Sequence, residues 1–125
     1  MKVYIATPVN GRKEKTLLAK QKAAEEHIDE IIMYLEKILP DAEFVNPVRQ
    51  ILIYHKAIAG REAAIMGTCV RMVMECDMIV LDDGWECSQG CTVERFVAMQ
   101  YGKQVKTINS FKLNEVLIGC YKLAE

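Results

Sequence analysis

Apolar residues recur along the chain with two different periods, and the alternation of these periods predicts the order of the secondary-structure elements. Longer segments with helical spacing separate short apolar runs that have the length and composition of β-strands. The predicted strands are KVYIATP, AEFVNPV, DMIVLDD and KQVKTI. We therefore expect strands and helices to alternate from the N-terminus onward.

Four regions between and after the strands have helical periodicity. The first helix is predicted from about Lys13 to Leu39, ahead of Pro40. The segment from Arg49 to Cys76 is mostly helical, with a break near Gly60. The next helix is predicted from about Gly90 to Tyr101, and the last from about Asn109 to Leu123. The apolar face predicted for the helix that begins near Gly90 consists of Val93, Phe96, Val97 and Tyr101.

The alternation of strands and helices is typical of βαβ units, which build parallel sheets with right-handed crossovers. DMIVLDD is apolar enough to be covered on both faces, as central strands of a parallel sheet are. KQVKTI is less apolar, so we predict that it lies nearer an edge. The expected fold is α/β: one small doubly wound domain of the flavodoxin or Rossmann type, residues 1–125, with a parallel sheet of four to five strands.

Charge and hydropathy narrow the range of partners. The formal net charge is −1, with 16 basic and 17 acidic residues, which gives no electrostatic reason to expect nucleic acid or an anionic membrane as partner. No apolar run approaches the length of a membrane span, and the N-terminus enters a strand instead of a signal peptide. We expect a cytoplasmic protein whose partner is a small molecule.

The cysteines and glycines lack the spacing of metal and nucleotide-cofactor motifs. Five cysteines, an odd number, indicate reduced thiols, and the Cys and His groupings are too loose for a zinc site. Neither a GxGxxG fingerprint nor a Walker P-loop is present. We therefore predict no metal and no cofactor.

In an open parallel sheet, ligands bind beyond the carboxyl ends of the strands. Three polar, glycine-containing or proline-containing segments follow predicted strands: Thr7–Arg12, Asn46–Arg49 and Asp82–Gly90. Fold and composition therefore predict one ligand cleft lined by these segments. Thr7 and Gly90 are included in the predicted substrate-binding set on this ground.

Three residues near the last of these segments have two interpretations each. Glu94 is predicted in about the first turn of its helix, where the helix dipole keeps a carboxylate ionised; it is either catalytic or a stabilising helix-end acid. Ser88 is either an N-cap or a ligand contact. Trp85 is either an aromatic lid that stacks on a ligand or simple packing over a strand end.

Two stretches, MKVYIATPVNG and ECDMIVLDDGWECSQGCTVERFVAMQYGK, resemble the nucleoside 2-deoxyribosyltransferase-like superfamily. The resemblance covers essentially the whole chain, and its most specific part is the block in which a strand, DGW, Ser, Gly and Glu lead into a helix. The nearest branch is small and uncharacterised. Related enzymes include the 2′-deoxynucleoside 5′-monophosphate N-glycosidases.

The resemblance implies roles for individual residues. It places the nucleophilic glutamate at Glu94, a tyrosine beside the sugar and nucleophile at Tyr4, and a phosphate-contacting serine at Ser88. The phosphate-binding loop falls on Asn10, Gly11 and Arg12, and the related enzymes are often homo-oligomers.

One residue of the superfamily pattern is missing. The aspartate that helps to protonate the departing base falls on Cys69, and Asp82, Asp83 or Glu62 are the candidate replacements. Asp82 is included in the predicted catalytic set with Glu94 and Tyr4. The resemblance implies an N-glycosidase or deoxyribosyltransferase acting on a nucleoside or its monophosphate; the alternative is a nucleotide-binding or sensing module with impaired catalysis.

Overall fold

The computed structural model of the 125-residue chain describes residues 1–54 and 62–115. The described residues form an α/β domain whose four strands are all parallel and lie in the order β2-β1-β3-β4. The strands are β1 (Lys2–Ala6), β2 (Glu43–Val45), β3 (Met78–Leu81) and β4 (Gln104–Thr107). The prediction of a four- to five-stranded parallel sheet is confirmed, as is the position of the fourth strand at an edge.

Helices connect the strands in the predicted order. They are α1 (Leu17–Glu36), α2 (Pro47–Tyr54), α3 (Glu62–Glu75), α4 (Gln89–Gln100) and α5 (residues 108–115), with a 3₁₀ turn at Trp85–Cys87. The predicted break near Gly60 and the end of the last predicted helix lie outside the described residues. Within residues 1–54 and 62–115, no helix combines the length and apolarity that a membrane span requires.

Side chains alternate across the sheet and build a separate apolar core on each face. On one face, Tyr4, Ala6, Ile79 and Leu81 pack against α3 and α4. On the other, Val3, Ile5 and Val80 pack against α1. This two-sided cover is the doubly wound arrangement predicted from the sequence, and it explains why β3 is apolar at every position and β1 at every position after Lys2.

Helix α1 begins four residues later than predicted because a side chain caps it. Thr16 has extended backbone geometry, and its hydroxyl accepts a hydrogen bond from the Ala19 amide at 3.1 Å. This cap satisfies one of the free N–H groups of the first turn. The chain from Lys13 to Thr16 therefore belongs to the loop after β1.

Helix α4 packs with a different face from the one predicted. Val93, Phe96 and Tyr101 are exposed, and only Val97 of the predicted face packs against the core. The buried positions are Cys91, Glu94 and Ala98, which are spaced three and four residues apart. Small side chains at two of these positions let α4 approach the sheet closely, and a carboxyl group occupies the third.

Candidate functional site

A cleft of about 1420 Å³ opens at the carboxyl ends of β1 and β3. These two central strands mark the switch in strand order, since α1 leads from β1 toward one edge and α4 leads from β3 toward the other. Ligands of doubly wound proteins bind at such a switch point. The residues predicted from the sequence that line the cleft are Tyr4, Thr7, Asn10, Gly11, Arg12, Asp82, Ser88, Gly90 and Glu94.

Glu94 is buried in the wall of this cleft, with only 7% of its surface exposed. Burial raises the pKa of the carboxyl group from 4.5 to about 7, and a hydrogen bond with Tyr4 partly opposes this by lowering it. The prediction that a first-turn position keeps Glu94 ionised is wrong. Helix α4 begins at Gln89, so Glu94 lies in the second turn, where burial outweighs the helix dipole.

Tyr4 lies in the middle of β1 and points into the same wall. Its side chain is buried and makes hydrogen bonds with both Glu94 and Cys69. Burial, followed by the charge of Glu94, raises the pKa of Tyr4 well above its ordinary value. The phenol therefore remains protonated and donates a hydrogen bond to the Glu94 carboxylate, an arrangement that orients the carboxylate and favours its charged form.

Two buried thiols flank the tyrosine and the glutamate. Cys69 of α3 and Cys91 of α4 both line the cleft, and burial raises the pKa of each to about 12. The hydrogen bond with Tyr4 lowers the pKa of Cys69, and one with Ser88 lowers that of Cys91, but burial is the larger effect for both. These thiols are therefore neutral, and neither is a strong acid.

Ser88 is the N-cap of α4. Its hydroxyl accepts a hydrogen bond from the Cys91 amide at 3.2 Å, and its backbone is extended. The capping interpretation is confirmed, and because Ser88 also lines the cleft, its contact with a ligand stays a prediction. At Gly90, a Cβ atom would lie 3.7 Å from Glu94 Oε1 and 3.9 Å from Ser88 Oγ. The glycine therefore leaves open the space between these two side chains.

The loop after β1 forms another wall of the cleft. A turn brings the Arg12 amide to the Val9 carbonyl at 3.2 Å, and Lys20 of α1 donates to the Asn10 carbonyl at 2.9 Å. A Cβ atom at Gly11 would meet nothing within 4 Å, so no close packing requires a glycine there. The loop is held by α1 and presents its residues to the cleft as predicted.

Three polar atoms of this loop are buried without a hydrogen bond in the described part of the chain: Thr7 Oγ1, Arg12 Nε and Glu14 Oε2. Arg12 Nε lies 3.8 Å from Glu14 Oε1, so a carboxylate partly balances its charge. Among the described residues, Thr7 Oγ1 has no such partner. Buried polar groups are almost always paired in native proteins, which makes Thr7 a candidate ligand contact.

The second predicted segment, Asn46–Arg49, contributes only in part. Pro47 and Val48 line the cleft. Instead, the side-chain amide of Asn46 donates to the Glu25 carbonyl at 3.0 Å, and Arg49 forms an ion pair with Asp29 of α1. The polar residues of this segment thus fasten α2 to α1.

Asp82 is buried at the end of β3 and is paired with a residue that the sequence interpretation missed. His27 Nε2 lies 2.9 Å from Asp82 Oδ2, and Nδ1 of the same ring lies 3.7 Å from Glu30 Oε2. His27 also lines the cleft. The available signal was its position in α1, three residues after Ala24 and four before Ile31, on the border of the apolar stripe.

The other candidate replacements for the missing acid differ from Asp82. Asp83 is exposed, and its side chain accepts a hydrogen bond from the side-chain amide of Asn109 at 2.7 Å, which connects the loop after β3 to α5. The side chain of Glu62 lies outside the described residues. In residues 1–54 and 62–115, no three His, Cys, Asp or Glu side chains are grouped so as to hold a metal ion.

Trp85 is placed away from the predicted ligand contacts. It packs against the core on the α4 side of the sheet and is not among the described residues that line the cleft. The Arg95 guanidinium lies 5.1 Å from the ring centroid, within cation–π distance. The packing interpretation accounts for all of these contacts.

Residues 1–107 match the family model described as "Domain of unknown function (DUF4406)", and the chain belongs to that family. No curated protein and no solved structure matches the chain.

Proposed function

We propose that this protein cleaves the N-glycosidic bond of a nucleoside or nucleoside monophosphate, as an N-glycosidase or 2-deoxyribosyltransferase, with Glu94 as nucleophile. The observation that supports the proposal most directly is the pairing of a buried glutamate with a buried tyrosine in the wall of the switch-point cleft. The substrate is a small molecule; neither nucleic acid nor a membrane is proposed as partner, and the protein is proposed to act in the cytoplasm without a cofactor.

Cleavage of an N-glycosidic bond develops positive charge at the anomeric carbon and negative charge on the departing base. A carboxylate below the sugar stabilises the positive charge and forms a glycosyl ester as the base leaves with the bonding electrons. Water then hydrolyses the ester and regenerates the carboxylate, or a second base accepts the sugar. Tyr4, through its hydrogen bond to Glu94, orients the attacking oxygen.

The departing base must gain a proton, and a positioned acid contributes about 10²–10⁴-fold to such steps. Cys69, with a pKa of about 12, is a weak donor. Asp82, the candidate replacement, lines the same cleft, but its carboxylate accepts a hydrogen bond from His27 Nε2 at 2.9 Å, so the proposal leaves base protonation without a strong acid and makes it the slow step.

The test is release of free base from the common 2′-deoxynucleosides, ribonucleosides and their 5′-monophosphates. We expect Glu94→Gln and Glu94→Ala to abolish release. Glu86→Gln is the matched control, because Glu86 is exposed in the 3₁₀ turn close by in sequence and should leave the rate unchanged. Undiminished release in both Glu94 variants excludes this residue as the nucleophile.

A nucleotide-binding or sensing module is the second candidate, and the neutral Cys69 thiol in place of the expected acid favours it. Calorimetry separates the two functions, because a sensor binds a nucleotide tightly and yields no product after long incubation. In an enzyme limited by the missing acid, Cys69→Asp should raise the rate; an unchanged rate would show that base protonation does not limit turnover.

We also propose a homo-oligomer. Several large apolar side chains on α3 and α4 are exposed, and burial in a subunit contact would remove them from water. They are Met74, Val93, Phe96 and Met99. Light scattering coupled to size-exclusion chromatography gives the subunit number, and Phe96→Glu should reduce it to one.

A further inference from the structure

The cleft contains a polar cluster that the nucleophile and its tyrosine do not use. Thr7 and Asp82 follow β1 and β3 directly, and the Asp82 amide donates to the Ala6 carbonyl at 2.9 Å, so the parallel pairing continues past the strands. The register that pairs Ala6 with Leu81 then brings Thr7 and Asp82 side by side. Neighbouring strands lie about 4.8 Å apart, which is close enough for both side chains to contact one ligand group.

The direction of both side chains follows from the alternation along the strands. Ile5 and Val80, two residues earlier, belong to the core on the α1 face, so Thr7 and Asp82 point toward that face as well. The contact between Asp82 and His27 of α1 agrees with this direction. The polar cluster therefore lies on the α1 side of the cleft, opposite the wall that carries Glu94.

His27 fixes the geometry of the cluster. Asp82 is buried, and a buried carboxylate requires a donor. His27 Nε2 supplies one at 2.9 Å from Oδ2, which holds the carboxylate in one orientation and leaves the lone pairs of Oδ1 for another donor. Thr7, buried next to it, has a hydroxyl with no hydrogen-bond partner in the described residues.

The vacant hydrogen-bonding positions define the chemistry of the ligand. Oδ1 of Asp82 can accept a hydrogen bond from a further donor, and the Thr7 hydroxyl proton requires an acceptor. A hydroxyl group meets both requirements from one position, whereas an ammonium group cannot accept and a carbonyl cannot donate. Apolar side chains, namely Ile51, Ile65 and Met66, line the α3 side of the cleft and suit a planar base instead.

We propose that Thr7 and Asp82 bind a ring hydroxyl of the sugar, and that His27 is a positioning residue that holds Asp82 for this contact. The inference rests on the proposed function, since Glu94 must face the anomeric carbon of the same ring. It adds that the protein selects its substrate by the hydroxyl groups of the sugar.

Three groups of 5′-monophosphates test the inference by calorimetry: the ribonucleotides, the 2′-deoxynucleotides and the 2′,3′-dideoxynucleotides. The last group lacks both ring hydroxyls. We expect it to bind on the order of 10- to 100-fold more weakly than the better of the other two, as for loss of a hydrogen bond to a charged group. Asp82→Asn and Thr7→Val should each reduce this discrimination, whereas Asp41→Asn, the same change at an exposed aspartate outside the cleft, should retain it.

Two variants at His27 distinguish positioning from general stability. Gln retains an N–H donor for Asp82 and should preserve the discrimination between hydroxylated and dideoxy ligands; Leu removes the donor and should lose it, with both proteins folded by circular dichroism. Equal affinity for all three ligand groups overturns the inference while leaving the proposed function intact. Failure of every nucleotide to bind overturns both. Weaker binding of Asp82→Asn with no dependence on sugar hydroxyls also overturns the inference, and indicates a cationic ligand group.

Discussion

Burial of the Glu94 carboxyl group predicts that the protein loses stability as the pH rises toward neutrality. The pKa of this group is 4.5 when freely exposed and about 7 in the folded protein. Between these two values the folded state retains a proton that the unfolded state releases. The free energy of unfolding is therefore unaffected by Glu94 below about pH 4.5 and falls as the pH rises through the window up to about pH 7.

Replacing Glu94 with Gln should remove this pH dependence. The amide has nearly the same shape and retains an oxygen that accepts the Tyr4 hydrogen bond, but it does not ionise. At ~1.36 kcal/mol per pKa unit, the raised pKa corresponds to a ceiling of about 3 kcal/mol, of which about 2.5 kcal/mol falls between about pH 5 and about pH 8. The raised pKa values of the buried cysteines and of Tyr4 affect stability only at alkaline pH.

Urea unfolding followed by the fluorescence of Trp85 provides the measurement, since this is the single tryptophan of the chain. Wild-type protein, Glu94→Gln and the exposed control Glu86→Gln are unfolded at about pH 5 and about pH 8. We expect wild type and Glu86→Gln to lose about 2.5 kcal/mol more than Glu94→Gln over this range. Parallel pH profiles for all three proteins would refute the assignment of a buried, protonated Glu94.

Three further predictions concern the cleft. Base release should increase as the pH rises through about 7, because only ionised Glu94 attacks, and Tyr4→Phe should move the midpoint to higher pH by removing a hydrogen bond that lowers the pKa. Gly90→Ala should stabilise α4 by up to ~1 kcal/mol and still weaken nucleotide binding, because the added methyl group enters the space beside Glu94 Oε1. The control is Gly67→Ala in α3, where the added methyl group would meet no atom within 4 Å; it should stabilise the protein without affecting binding. Ser88→Ala should cost about 1 kcal/mol of stability through loss of the N-cap. It should also weaken the binding of monophosphates more than that of nucleosides, which calorimetry with each nucleoside and its own monophosphate measures.

The fold was predictable because the composition of a strand indicates whether it lies at the centre or at an edge of the sheet. The central strands are apolar at every position except Lys2, and KQVKTI, with alternating exposure, is an edge. Helix boundaries were less accurate, since the start of α1 depends on the cap at Thr16 and not on the apolar stripe. The face of α4 was predicted from its largest apolar residues. In the folded protein the small residues Cys91 and Ala98 face inward, because a helix that packs closely onto the sheet has no room there for large side chains.

The location of the candidate site was predictable, but its electrostatics were not. Strand ends mark the cleft, so the segments around Thr7 and Asp82 could be named from the sequence alone. The contact between His27 and Asp82 joins positions 55 residues apart, so no local sequence pattern predicts it. The raised pKa of Glu94 likewise depends on which neighbours exclude water, and helix position alone gave the opposite expectation.

The two candidate functions differ in how they use the proton on Glu94. A carboxyl group with a pKa of about 7 is divided between both forms near neutrality, so a small change in its surroundings decides which form dominates. Positive charge developing on a sugar favours the carboxylate, and Tyr4 already supplies a donor for that form. Burial of Glu94 is thus costly to folding but useful to bond cleavage, because a carboxylate in a dry site interacts more strongly with a nearby cation than one in water. A module that only binds nucleotides gains nothing from this costly arrangement, and this difference ranks the enzyme ahead of the sensor.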